Sequence, residues 1–82
     1  MTFEEAIGEL EGNEKHLRFS RLLKICKCFF GKPRIVGSHH IFKTPWPGDP
    51  RINLQEDKGN AKPYQVRQVL RCLRRLKDRG LN

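Results

Sequence analysis

Long apolar runs are missing from this 82-residue chain, and so is a framework of cysteines. The first absence excludes a membrane-spanning helix, which needs about 20 consecutive apolar residues. Three Cys are an odd number without disulfide spacing. Acids in the opening Met-Thr-Phe-Glu-Glu stand where a secretory signal carries basic residues. The expectation is a cytoplasmic chain with reduced thiols and no membrane partner. A phosphate-binding glycine loop is also missing: Gly37, Gly48 and Gly59 stand singly. No Ser or Cys has an evident base beside it in the sequence. Five Phe, one Trp and one Tyr suffice for one small core but not for an enclosed cofactor pocket. A shallow surface site without a cofactor is therefore expected.

Acidic residues become scarce after the N-terminal stretch. Residues 1–16 carry Glu4, Glu5, Glu9, Glu11 and Glu14 against Lys15, a balance of −4. Residues 17–82 carry 16 Lys and Arg against Asp49, Glu56, Asp57 and Asp78, a balance of +12. Such a basic body suits a polyanionic partner, nucleic acid being the common one. Surplus charge also serves plain solubility.

Hydrophobic spacing divides the chain into elements. Phe3, Ala6, Ile7 and Leu10 predict a short helix over 2–11, read as a solvated acidic arm. Leu22, Leu23, Cys26, Phe29 and Phe30 predict a second helix, ending at Gly31 and Pro33, with Ser20 a candidate cap. Arg34-Ile35-Val36 reads as a strand, Gly37-Ser38 as a turn, and a second strand begins at His39. Pro45, Pro47 and Pro50, with Gly48 and Asp49, force a loop. Alternation over Arg51–Gln55 marks a third strand. Pro63 opens a last helix whose buried stripe is Val66, Val69, Leu70, Leu73 and Leu76. The order predicts an α+β fold: a helix, a three-stranded antiparallel sheet and a helix, preceded by the arm of residues 1–16. The two main helices are expected to cover one sheet face.

The adjacent imidazoles of His39 and His40 are the candidate chemistry. Strand alternation puts His40 with Phe42 on one face and His39 with Ile41 on the other. With Ile41 taken as the core residue, His40 and Phe42 lie on the open face and His39 is partly covered. An exposed neutral imidazole can take a proton from a ribose 2′-hydroxyl. Nearby Lys and Arg can hold the phosphate, and Phe42 can stack on a base. Two strand histidines with satisfied hydrogen bonds are the plain alternative. Zinc binding by Cys26, Cys28, His39 and His40 is disfavoured by spacing, because both pairs diverge. Cys26 is expected in the core, with Cys28 and Cys72 at its margins. Arg67, Arg71 and Arg74 form a basic helix face suited to solvent, phosphate or an acidic protein.

The stretch Gly37-Ser38-His39-His40-Ile41-Phe42-Lys43, in this order of elements, resembles the HicA toxins over residues 18–79. The resemblance implies a double-stranded-RNA-binding-domain-like fold for residues 17–82. It implies an mRNA interferase, the toxin of a type II toxin–antitoxin pair, held by a HicB antitoxin that covers its active site. The last His of the motif, His40, is then catalytic. Lys32, Arg34, Ser38, His39, Phe42 and Lys43 complete the expected RNA-contacting set, in a toxin expected to be monomeric when free. The acidic N-terminal stretch, the Trp46–Pro50 loop and the Arg-rich last helix depart from the typical pattern. Binding of RNA without cleavage, and docking on a protein partner, are the alternatives that these departures leave open.

Overall fold

A computed structural model describes residues 1–48 and 50–80. Asp49, expected in the proline-rich loop, lies outside the described residues. The elements are α1 (Phe3–Glu11), α2 (Phe19–Phe30), β1 (Arg34–Val36), β2 (His39–Phe42), β3 (Ile52–Gln55) and α3 (Pro63–Asp78). Local chemistry accounts for their limits. Thr2 and Glu5 form a capping box at α1: Thr2 Oγ1 accepts from the Glu5 N–H, and the Glu5 carboxylate accepts from the Thr2 N–H. Pro63 sits in the first turn of α3, where its missing N–H costs nothing. The α2 cap position is Arg18 rather than the expected Ser20, and no side chain caps it.

The strands form an antiparallel sheet in the order β1-β2-β3. Val36 pairs with His39, leaving Gly37-Ser38 as a two-residue loop. Gly37 has φ 60° and Ser38 is not left-handed, the pattern of a type II′ turn whose twist suits a hairpin. A second tight turn follows β3. Lys58 and Gly59 have φ 50° and 86°, as a type I′ turn requires, and Asp57 and Asn60 exchange two 2.9 Å backbone hydrogen bonds around it.

Helices α2 and α3 cover one sheet face. The core joins Leu22, Ile25 and Cys26 of α2 with Val66, Val69 and Leu73 of α3 over Phe42, Ile52 and Leu54. The expected stripe of α3 is buried as read. The N-terminal segment is no solvated arm. Ala6 and Leu10 are fully buried in the same core, and α1 packs on α3. Its acids reach basic residues of the other helices: Glu9 takes two bonds from Arg21, at 2.5 and 2.7 Å, Glu4 pairs with Lys77 at 2.9 Å, and Glu11 pairs with Arg74. The separation of acidic and basic segments along the sequence concealed this, because the pairing partners lie far away in the chain.

The Trp46 loop closes the far end of the core. Trp46 is buried, edge-on to Phe30 with centroids 6.5 Å apart, and the Arg75 guanidinium lies 4.5 Å over its ring. At the β3 edge, the buried Gln65 side chain acts as a substitute strand. With its oxygen toward the Gln55 N–H, the amide accepts from that N–H and donates to the Gln55 carbonyl, both at 3.2 Å. Among the described residues, no helix is long and apolar enough to cross a membrane.

Candidate active site

The two imidazoles face opposite ways from the expectation. Phe42, not Ile41, is the fully buried residue of β2. Phe42 lies opposite Ile52, and His40 opposite Leu54, so these four share the helix-covered face. His39, Ile41 and Asn53 are on the open face. The pairing of His39–Phe42 with Ile52–Gln55 is unbroken, so alternation along β2 is regular. The exchange follows because Phe42, not Ile41, fills the core. Aliphatic and aromatic neighbours at adjacent strand positions are both apolar, and alternation alone does not rank them.

His40 sits at the margin of the covered face. Its ring meets Phe19, the first residue of α2, in an edge contact with centroids 5.3 Å apart. Nδ1 is sealed from solvent and has no hydrogen-bond partner among the described residues. Nε2 is the nitrogen left to meet a ligand. His40 lines a shallow depression of about 290 Å³ together with Phe19, Arg18, Ser20, Glu56 and Gly59.

The I′ turn builds one wall of this depression. It docks on the start of α2 through Phe19 N–H to Gly59 O (3.1 Å) and Ala61 N–H to Leu17 O (2.9 Å). The Arg18 guanidinium lies across Gly59, where an added Cβ would come within 3.2 Å of it. Arg18 Nη1 also donates to Asn60 Oδ1 at 3.4 Å. The first turn of α2 has neither an acid nor a side-chain cap. Among the described residues, the Ser20 N–H has no acceptor. The site thus combines the positive end of a 12-residue helix, a guanidinium, an orphan N–H and an imidazole. It suits an anion held beside a nitrogen base. Glu56 is the opposing charge at its rim.

The expected RNA-contacting residues are not gathered there. Phe42 is buried and unavailable for base stacking. Arg34 pairs with Ile41 on the open face. Lys43 lies at the other end of β2, in a larger groove of about 620 Å³ with Phe29, Phe30, Thr44 and Leu76 that contains no histidine. Lys32 precedes β1 and does not line the depression. Ser38 Oγ accepts from Gln55 Nε2 at 2.9 Å, and His39 Nδ1 lies 3.0 Å from Asn53 Oδ1, so both serve the open face. Arg18, Ser20 and Glu56 were missed. The Lys58-Gly59 turn is what brings Glu56 and Gly59 beside Arg18 and Ser20.

Cys26 and Cys72 lie as expected, in the core and at its margin, but Cys28 is exposed and does not pack on the core. Cys26 is buried and its thiol is pushed up to about 12 by that burial, so it is no nucleophile at neutral pH. Cys28 is exposed and Cys72 is half-buried, its thiol also raised by burial. Compared with known proteins, the chain matches no protein-family model, no curated protein and no solved structure.

Proposed function

We propose that this protein is a HicA-like toxin, an endoribonuclease that cleaves mRNA with His40 as its general base. The observation that carries the reading is the grouping of His40 with Arg18 and the uncapped start of α2. A phosphodiester seated there has its charge met by the guanidinium and by the Ser20 N–H. With its proton on Nδ1, His40 offers the Nε2 lone pair to a ribose 2′-hydroxyl. The hydroxyl gives its own proton to Nε2, O2′ bonds to phosphorus, and the P–O5′ bond breaks. The departing O5′ takes a proton from water, and the hydroxide so formed takes the proton back from Nε2, which returns His40 to its neutral form. The products are a 2′,3′-cyclic phosphate and a 5′-hydroxyl, and the sequence of steps needs neither a metal nor a cofactor.

The α2, three-stranded meander and α3 support a double-stranded-RNA-binding-domain-like arrangement, with α1 as an addition. On this reading the toxin is cytoplasmic and monomeric when free, and a HicB-like antitoxin is its protein partner.

The test is purified protein incubated with RNA in chelator, wild type beside His40→Ala and Arg18→Ala, with circular dichroism to verify folding. Wild type is expected to yield fragments with 5′-hydroxyl ends. His40→Ala loses cleavage, and Arg18→Ala loses most of it. Equal cleavage by folded His40→Ala overturns the mechanism. Salt-sensitive RNA binding by wild type without any cleavage replaces it with a non-catalytic RNA-binding module.

A further inference from the structure

The two edges of the sheet are finished differently. At β3, the buried Gln65 amide occupies the backbone of Gln55 as a neighbouring strand would. At β1, among the described residues, no strand pairs with the outer edge. All three β1 residues are exposed, and Ile35 and Val36 are 62% and 46% exposed. Ile35 lies opposite His40 and Val36 opposite His39, so the two side chains stand on opposite sheet faces. An open edge with apolar residues on both faces is the surface that an added strand buries.

We infer that the β1 edge receives an extended acidic segment of another protein as the fourth strand of the sheet. Charge selects the occupant. Arg34 is on the strand itself, Lys32 is two residues before it, and the chain carries +8. A second copy would bring the same cations and the same net charge to the edge. Basic residues on a short edge strand are a known barrier to such self-pairing. The same residues attract a strand that places Glu or Asp opposite Arg34 and an aliphatic residue opposite Ile35. Because β1 has only three residues, main-chain hydrogen bonds are few. Burial of Ile35 and Val36 and the ion pair at Arg34 supply the rest of the affinity. The docking edge is independent of the reaction at His40.

The probe is an end-blocked peptide of alternating Val and Glu, titrated into the full-length ¹⁵N-labelled protein at low salt and followed by amide chemical shifts. The same peptide with a central proline and a Val/Lys peptide serve as comparators. Saturable shifts centred on residues 34–36 are expected with the Val/Glu peptide. The proline peptide and an Ile35→Thr/Val36→Thr variant are expected to weaken binding at least tenfold, and the Val/Lys peptide to leave the edge unperturbed. No shift at millimolar peptide overturns the inference. So do shifts confined to the arginines of α3 and equal for the proline peptide, which mark binding by charge alone. Sedimentation showing a dimer that the Ile35→Thr/Val36→Thr variant abolishes assigns the edge to a second copy instead.

Discussion

The His40 ring stands edge-on to Phe19, with centroids 5.3 Å apart and planes at 64°. This contact ties the candidate base on β2 to the first residue of α2, whose N–H is in turn held by Gly59. Phe19 therefore orients the imidazole as well as filling the core. Phe19→Leu keeps an apolar side chain of similar reach but loses the ring edge. The expected cost is about 1 kcal/mol of stability from the aromatic pair. RNA cleavage is expected to fall roughly tenfold or more, since small displacements of a catalytic group are expensive. RNA affinity, read by fluorescence anisotropy, is expected to stay near wild type. If cleavage and affinity fall together, Phe19 acts only through the fold.

Acid is expected to destabilise the protein through α1. Hydrogen bonds from the Arg21 guanidinium hold the Glu9 carboxyl below its ordinary value of 4.5. Lys77 does the same for Glu4, and the Thr2 backbone and hydroxyl for Glu5. The folded protein thus binds these protons more weakly than the unfolded chain. The stability they contribute is complete above the unfolded value and is lost as pH falls through the lower folded values. Melting temperatures measured from about pH 6 to about pH 3 should drop below about pH 4.5. Glu9→Gln is expected to melt lower at neutral pH and to show a shallower acid slope. Parallel curves for variant and wild type would mean that the Glu9–Arg21 pair is not part of this response.

Element order and the α3 stripe were legible because spacing, Pro63 and the Gly37-Ser38 turn are local signals. The burial of α1 was not. Phe3, Ala6, Ile7 and Leu10 announced an amphipathic helix, but its ion pairs with Arg21, Arg74 and Lys77 depend on how three helices meet. The site was half legible. His40 was singled out from its motif, yet its face was misassigned because Ile41 and Phe42 compete for the core. Arg18 and Glu56 were beyond sequence reading, since the Lys58-Gly59 turn alone brings residues so far apart in the chain into one depression.

Lys58 is the one non-glycine residue with positive φ among the described residues, at 50°. A side chain in this region is disfavoured by roughly 1 kcal/mol, while Asn and Gly adopt it readily. Lys58→Asn is expected to raise stability by up to about 1 kcal/mol, which corresponds to about 4–8 °C in Tm for a domain of this size. Calorimetry at neutral pH measures this. An unchanged or lower Tm would indicate that the Lys58 side chain makes a compensating contribution. Cleavage is expected to be unaffected, because the variant keeps the turn that positions Arg18.

Gln65→Leu tests the sealed edge of the sheet. The substitution keeps the approximate volume but removes the amide that meets both backbone groups of Gln55. Leaving a buried donor or acceptor unpaired costs about 1–3 kcal/mol. Chemical denaturation is expected to show a loss in that range with an unchanged slope. Hydrogen exchange discriminates this cause from simple repacking. The Gln55 amide should lose protection far beyond the global loss, while Leu54 and Ile52, buried under the helices, follow the global change. A uniform change in protection would place the cost in the core instead. A variant with both edges open is also expected to aggregate faster than wild type, because β3 then joins β1 in offering an unpaired backbone.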